Sequence, residues 1–265
     1  MLGRALRAEF PAARAFARSE ADLSSPGVLE KLIVPGVSLV LNAAADTRVD
    51  LAETDPAHRE TNAAAVGRLA RLCAAAGAML VHVSTDYVFD GTATEPYLED
   101  HPVDPVNAYG AGKLEGERQV VASGARFLIV RTSWVFGVGG ANFPEAILRQ
   151  VALGRTELRV VSDQRGRPTY AADLAHAIRR LVDVGATGIV HFANSGETTW
   201  FGLAAELVRA ASHPEVAVKP CTSDEFPRPA KRPAYSVLDT SLYERLTGEP
   251  PPPWQAALAR YLAIR

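Results

Sequence analysis

The sequence predicts an α/β protein: a doubly wound parallel sheet with a small C-terminal substrate-binding lobe. Three observations carry this. Short apolar runs alternate with Ala-rich stretches of helical period along most of the 265 residues, an order that implies parallel strands with right-handed crossovers. Hydroxyl and carboxyl side chains directly follow the apolar runs, and strand C-termini of parallel sheets face the ligand crevice. Composition shifts after about Glu215 toward proline and basic residues, with Pro220, Pro227, Pro229, Lys231, Arg232 and Pro233, and then Pro250–Pro253 before a short terminal helix.

The elements follow in order. Val37–Ala43 is a buried-strand pattern, and Thr61–Ala76 a helix with Val66, Leu69, Ala70 and Cys73 on one face. Gly77 stands where a C-terminal cap belongs. Ala78–Ser84 is a second strand, Ala108–Val121 a second helix, and Arg126–Arg131 a third strand. Helices near Phe143–Ala152, over Ala172–Val184 and over Thr199–Ala211 alternate with strands near Leu158–Val161 and Gly188–Ala193. The expected organisation is an α/β domain over residues 1–140. Residues 141–265 form a mixed region giving the sheet a strand and helices and also building the lobe. A polar linker with a packed terminal helix is the plainer reading of the region after Glu215.

Composition narrows the function. The 28 basic and 30 acidic residues give a net charge of -2, so no basic face for nucleic acid is expected. No run approaches the roughly 18 apolar residues of a membrane span. Two cysteines, Cys73 and Cys221, make no disulfide scaffold, and a cytoplasmic protein is expected. The N-terminus does not read as a signal peptide. The six scattered histidines form no metal-binding motif, no G-x-S-x-G elbow is present, and no metal site is expected.

The chemistry gathers around Tyr109-Gly-Ala-Gly-Lys113. Tyrosine and lysine at i and i+4 share a helix face, and an ammonium beside a phenol lowers the phenol's pKa. Alone, that pair also fits a solvated helix. It gains weight from Val83-Ser-Thr-Asp-Tyr-Val-Phe89 at the preceding strand end, where Thr85 can hydrogen-bond a carbonyl that Tyr109 protonates. Asn42-Ala-Ala-Ala-Asp-Thr47 offers small residues that let a dinucleotide approach, or simply tight strand–helix packing. Trp134, in Arg131-Thr-Ser-Trp-Val-Phe136, reads equally as a sugar platform and as core.

Together these residues resemble the extended short-chain dehydrogenases/reductases, and more closely the dTDP-4-dehydrorhamnose reductase family. The resemblance covers nearly the whole chain. Its markers are N-A-A-A-x-T (42–47), V-D-x-A-E (49–53), V-S-T-D-Y-V-F-D-G (83–91), Y-G-x-x-K (109–113), R-T-S-W-V-F-G (131–137), N-F (142–143), D-Q-x-G-x-P-T (163–169) and R-P-x-x-S-x-L-D (232–239). It implies a Rossmann-like fold and hydride transfer from a nicotinamide to C4 of a dTDP-linked 4-keto-6-deoxy-L-sugar. By this resemblance Tyr109 protonates the nascent alkoxide. Lys113 holds the nicotinamide ribose, Thr85 assists at the carbonyl, and Asp86 binds the sugar. Val49 and Trp134 would line the substrate pocket, with Asn142, Phe143 and Arg232 on the nucleotide-sugar side. A guanidinium suits a diphosphate, and Arg232 reads equally as a solvated surface residue.

The cofactor set implied is Met1, Leu2, Gly3, Arg18, Asp22, Leu23, Ala44, Ala45, Asp46, Thr47, Val83, Tyr109 and Lys113. Arg18 could meet the 2′-phosphate of NADPH, with NADH left open. Some relatives use Mg2+ at a homodimer interface, but no carboxylate cluster carries that over. The departure lies at the start. A first strand and a G-x-x-G-x-x-G loop should precede Gly3, the loop's last glycine, and a misplaced start is the expected cause. Absence of that strand is expected to leave unpaired backbone groups on both its neighbours. A non-catalytic dinucleotide-binding regulatory subunit of the same fold is the rival reading. A reductase of another nucleotide deoxysugar is the nearer variant.

Overall fold

The computed structural model describes residues 1–25 and 27–265. The chain opens with helix α1 (Leu2–Glu9) and reaches its first strand, β1, at Leu39–Asn42. Then come α2 (Ala65–Ala76), β2 (Met79–Thr85), α3 (Ala108–Ala122) and β3 (Phe127–Thr132). These are followed by α4 (Phe143–Ala152), β4 (Glu157–Val161), α5 (Ala171–Asp183) and β5 (Gly188–His191). The chain finishes with α6 (Trp200–Ala210), β6 (Ala217–Cys221) and α7 (Trp254–Ile264).

Strands β1, β2, β3 and β5 form one parallel sheet in that order. Both faces are covered, which is why the strands read as continuous apolar runs. Side chains alternate between the faces. Leu80 and Ile129 pack with Leu69 and Cys73 of α2 and Val120 of α3. Val81, Leu128 and Val130 pack on the other face against Leu174 and Ile178 of α5, joined by Leu6 of α1. Helix α2 stops at Gly77, whose φ of 70° lets its N–H and that of Ala78 turn back onto the last carbonyls.

Two expectations at the N-terminal side are corrected. No strand forms before β1 among the described residues, so the segment leading to Arg18, where this fold would place a strand, is not one. Residues 11–20 are exposed and carry no neighbouring strand to pair with. In consequence the sheet has one bare ladder there, the outer edge of β1, rather than two. The helix expected from Thr61 is composite: Glu60–Ala64 forms one wider π-type turn before α2.

The C-terminal lobe has its own core, in which Leu158, Leu203, Leu207, Trp254, Leu258 and Tyr261 meet. After Glu215 the chain adds β6, which pairs in parallel with β4, and ends in the packed helix that the plainer reading also expected. Pro220 sits inside β6 opposite Val160. A proline is tolerated there because β6 is an edge strand.

Candidate active site

Strand β2 ends at Thr85 and Asp86, both buried. The Thr85 hydroxyl accepts from the Tyr87 N–H at 3.2 Å and donates to Asp86 Oδ1 at 3.0 Å. Opposite, α3 starts at the cap residue Asn107, whose Oδ1 accepts from the Gly110 N–H at 2.8 Å. The Asn107 amide also donates to the Lys231 carbonyl at 2.8 Å and so ties the lobe to the start of α3. Glycines set how near α3 comes. A Cβ on Gly110 would lie 2.0 Å from the Tyr87 carbonyl oxygen, and one on Gly116 2.3 Å from the Asn62 carbonyl oxygen. This close seat brings the half-buried Tyr109 ring against Tyr87, 5.9 Å away edge-on, and His58, 5.7 Å away.

Burial dominates the electrostatics. It pushes the Asp86 carboxyl up to about 7, against the opposing hydroxyls of Ser236 and Thr85. Asp86 Oδ2 and Ser84 Oγ have no partner among the described residues. Burial raises the Tyr109 phenol well above its usual range; the Thr85 hydroxyl opposes this, and the Asp86 and Asp46 charges add to it. Lys113 is brought down to about 8 by burial, opposed by Glu117. Its Nζ donates to the Val83 carbonyl at 2.7 Å and lies 3.3 Å from His82 Nε2. Lys113 is not among the groups that shift the Tyr109 phenol. The lysine points inward under the strand, and the phenol is held high by desolvation.

The expected cofactor residues fall into two groups. Ala44, Ala45 and Thr47 are exposed beyond β1 and leave open backbone beside the crevice. Asp46 takes the Arg48 guanidinium at 2.9 Å, and its backbone is clasped by Asn62 through bonds of 2.9 and 2.8 Å. Met1 caps α1, with Leu2 its first residue and Gly3 exposed in its first turn. Gly3 is thus helical here and not part of a loop. At the other end, Arg18 Nε pairs with Asp22 Oδ2 at 3.0 Å, and Asp22 also accepts from Ser24. Leu23 is buried in the core beside Leu69, which leaves its backbone alone for a ligand.

On the substrate side, Val49 is half-buried and Arg232 reaches Asp50 Oδ1 at 2.6 Å. Trp134 adopts φ 48°, in the left-handed region, and stacks on Trp200 with ring centroids 3.6 Å apart. Trp134 is a half-buried indole with one face covered by Trp200. Phe143 packs on the same Trp200, 4.7 Å away. Asn142 is engaged within the chain. Its Oδ1 caps α4 through the Glu145 N–H at 3.1 Å, and its amide donates to the Gly137 and Gly140 carbonyls at 2.9 Å each. Both ends of that side chain are committed to the loop.

Sequence reasoning missed Asn62, His82 and Trp200. Asn62 and His82 carried a signal, a polar residue inside an otherwise apolar helix or strand. Trp200 could be placed only by folding.

A phenol and an amine one helical turn apart, beside a hydroxyl at a parallel strand end, define an extended short-chain dehydrogenase/reductase. Residues 1–265 match the family described as RmlD substrate binding domain. A dTDP-4-dehydrorhamnose reductase of Burkholderia thailandensis is 40% identical over 260 residues, covering 91% of this chain and 87% of that protein. The crystal structure of a dTDP-4-dehydrorhamnose reductase from Clostridium acetobutylicum superposes with a TM-score of 0.94 at 36% identity, covering 99% of this chain and 95% of that one. One from Bacillus anthracis, in complex with NADP, gives 0.93 at 34% identity, covering 100% and 95%. The chain belongs to the dTDP-4-dehydrorhamnose reductase family.

Proposed function

We propose that the chain reduces the C4 keto group of a dTDP-linked 4-keto-6-deoxy-L-sugar, converting dTDP-4-dehydrorhamnose to dTDP-L-rhamnose with NADPH. One observation carries this reading: the Thr85 hydroxyl and the Asp86 carboxyl meet where β2 ends, and the Tyr109 ring packs on Tyr87 directly after them. The residues fit a dinucleotide at its nicotinamide end. Exposed Ala44 and Ala45 present backbone without bulk, and Lys113 lies one turn from Tyr109. The NADP-bound relative supports the choice of NADPH.

A bound reduced dinucleotide supplies the hydride. The high pKa of Tyr109 keeps it a phenol at neutral pH, with a proton to give. As charge grows on the former carbonyl oxygen, that proton moves there. Thr85 holds the same oxygen once its hydroxyl turns from Asp86 Oδ1, to which it donates in this structure. Asp86 takes a sugar hydroxyl on its unpartnered Oδ2. Lys113 is assigned to the nicotinamide ribose, Arg18 to the 2′-phosphate and Arg232 to the diphosphate. No metal is assigned a step. A cytoplasmic location fits two buried, unpaired cysteines, Cys73 and Cys221, and among the described residues no helix is long and apolar enough to cross a membrane.

The test is NADPH consumption with dTDP-4-dehydrorhamnose, comparing Tyr109→Phe. General-acid loss should lower kcat about 10²–10⁴-fold, with dinucleotide binding retained. Equal rates in both proteins would overturn the role of Tyr109. No turnover in either would overturn the reductase reading.

A further inference from the structure

Beneath the reacting groups, β1, β2 and α3 enclose a polar chain that the mechanism above leaves unused. The Ala44 N–H donates to Asn42 Oδ1 at 3.1 Å. That fixes the amide: its nitrogen faces the other way, toward His82 Nδ1 at 3.0 Å. His82 Nε2 in turn lies 3.3 Å from Lys113 Nζ, which donates to the Val83 carbonyl at 2.7 Å. Asn42, His82 and Lys113 are all buried, His82 completely.

Donor counting then settles the protons. A neutral imidazole carries one N–H and one lone pair, and an amide nitrogen only donates. Because Asn42 donates to Nδ1, the imidazole proton sits on Nε2, aimed at Lys113. An ammonium has no lone pair to accept it, whereas a neutral amine does. Burial holds His82 well below its ordinary pKa, so the imidazole is neutral.

We propose that Asn42 fixes His82 as its Nε2–H tautomer and that His82 donates to Lys113, favouring the amine form of that lysine in the ligand-free protein. His82 is thus a positioning residue acting through Lys113. Burial of Lys113 works in the same direction. The other ionisable groups around Lys113 are His58, packed against α3 at Gly112 and kept neutral by burial, Tyr109 one turn earlier, and Glu117 one turn later. Glu117 alone favours the ammonium, and its carboxylate is already committed to Arg131 on β3.

The bearing on turnover rests on the reductase reading: a lysine poised this way takes up a proton as an anionic dinucleotide enters. The tautomer does not rest on that reading, so a failed activity assay and a failed tautomer measurement are distinguishable.

Nitrogen-15 NMR of ligand-free protein reads the His82 tautomer directly. The Nε2–H form is expected; the Nδ1–H form or an imidazolium overturns the proposal. Carbon-13 NMR of the Lys113 ε-carbon against pH supplies the second readout. Asn42→Asp accepts from Nδ1–H, reverses the tautomer and turns a lone pair toward Lys113. Its midpoint should rise by about one unit or more, a tenfold shift in the protonation equilibrium. No rise, or the same rise when His82→Phe accompanies Asn42→Asp, overturns the proposal, since added charge alone would then explain it. If Asn42→Asp does not fold, the tautomer in the unaltered protein decides.

Discussion

The Glu117 carboxylate and the Arg131 guanidinium meet as a buried ion pair, 2.7 Å apart, that locks α3 onto β3. Arg131 also donates to the Glu99 carbonyl at 3.1 Å and lies over the Phe89 ring at 5.2 Å. The helix carrying Tyr109 and Lys113 is therefore anchored by a charge contact one turn beyond them. Glu117→Ala strands a guanidinium in the core and should cost about 3–5 kcal/mol of stability in urea unfolding. Replacing both residues by methionine should cost much less, because no charge is left unpaired. Equal losses in the two variants would contradict this account.

The seat of α3 on the Tyr87 carbonyl gives a sharper steric prediction. A methyl on Gly110 would stand 2.0 Å from that oxygen, and backbone cannot yield as a flexible side chain does. Gly110→Ala should lose about 1–3 kcal/mol or more of stability and most of the activity. Gly3→Ala, with nothing within 4 Å of its Cβ, is the control for stability alone. Thermal melts and turnover of the two variants check this.

Asp86 predicts a pH-dependent stability. Its folded value of about 7 stands above the unfolded value of about 3.9. The folded state holds this proton more tightly, so stability is lost as pH rises through that window. Asp86→Asn removes the penalty, on the order of 1.4 kcal/mol for each unit of difference. The melting temperature of the variant should gain on that of the wild type between about pH 4 and pH 8, while its activity falls. A constant offset across the range would show that Asp86 does not titrate there.

Arg232 spans from the lobe to Asp50, which it holds below the usual carboxylate range. Under the proposed function the diphosphate competes with Asp50 for that guanidinium. Arg232→Ala should raise KM for the sugar nucleotide roughly tenfold, equivalent to about 1.4 kcal/mol, with kcat little changed. A KM that stays put would leave Arg232 as a tie between lobe and sheet and nothing more.

Much of this was written in local pattern. Met79–Thr85 and Phe127–Thr132 are legible because both faces of the sheet are covered and the runs stay apolar. Phe143–Ala152 is legible because Asn142 caps it. The Tyr109, Lys113 and Thr85 set is legible because spacing on a helix and position at a strand end are sequence properties. The rest depends on long-range partners. Ala217–Cys221 becomes a strand only because Glu157–Val161 lies beside it, and its proline argued against it. The inward turn of Lys113 depends on His82 and the Val83 carbonyl, which no helical pattern reveals. Trp134 gives no sign in sequence that its backbone will take a left-handed conformation.

The sheet takes its fourth strand, Gly188–His191, only after the chain has laid down α4 and β4 of the lobe. During synthesis, then, β3 waits with one edge open until residue 191 has left the ribosome, and the lobe waits longer for α7. The sheet cannot finish without Gly188–His191, so a fragment ending near residue 140 should expose a bare edge on β3 and aggregate rather than fold. For a chain this size that favours late, concerted closure over domain-by-domain assembly.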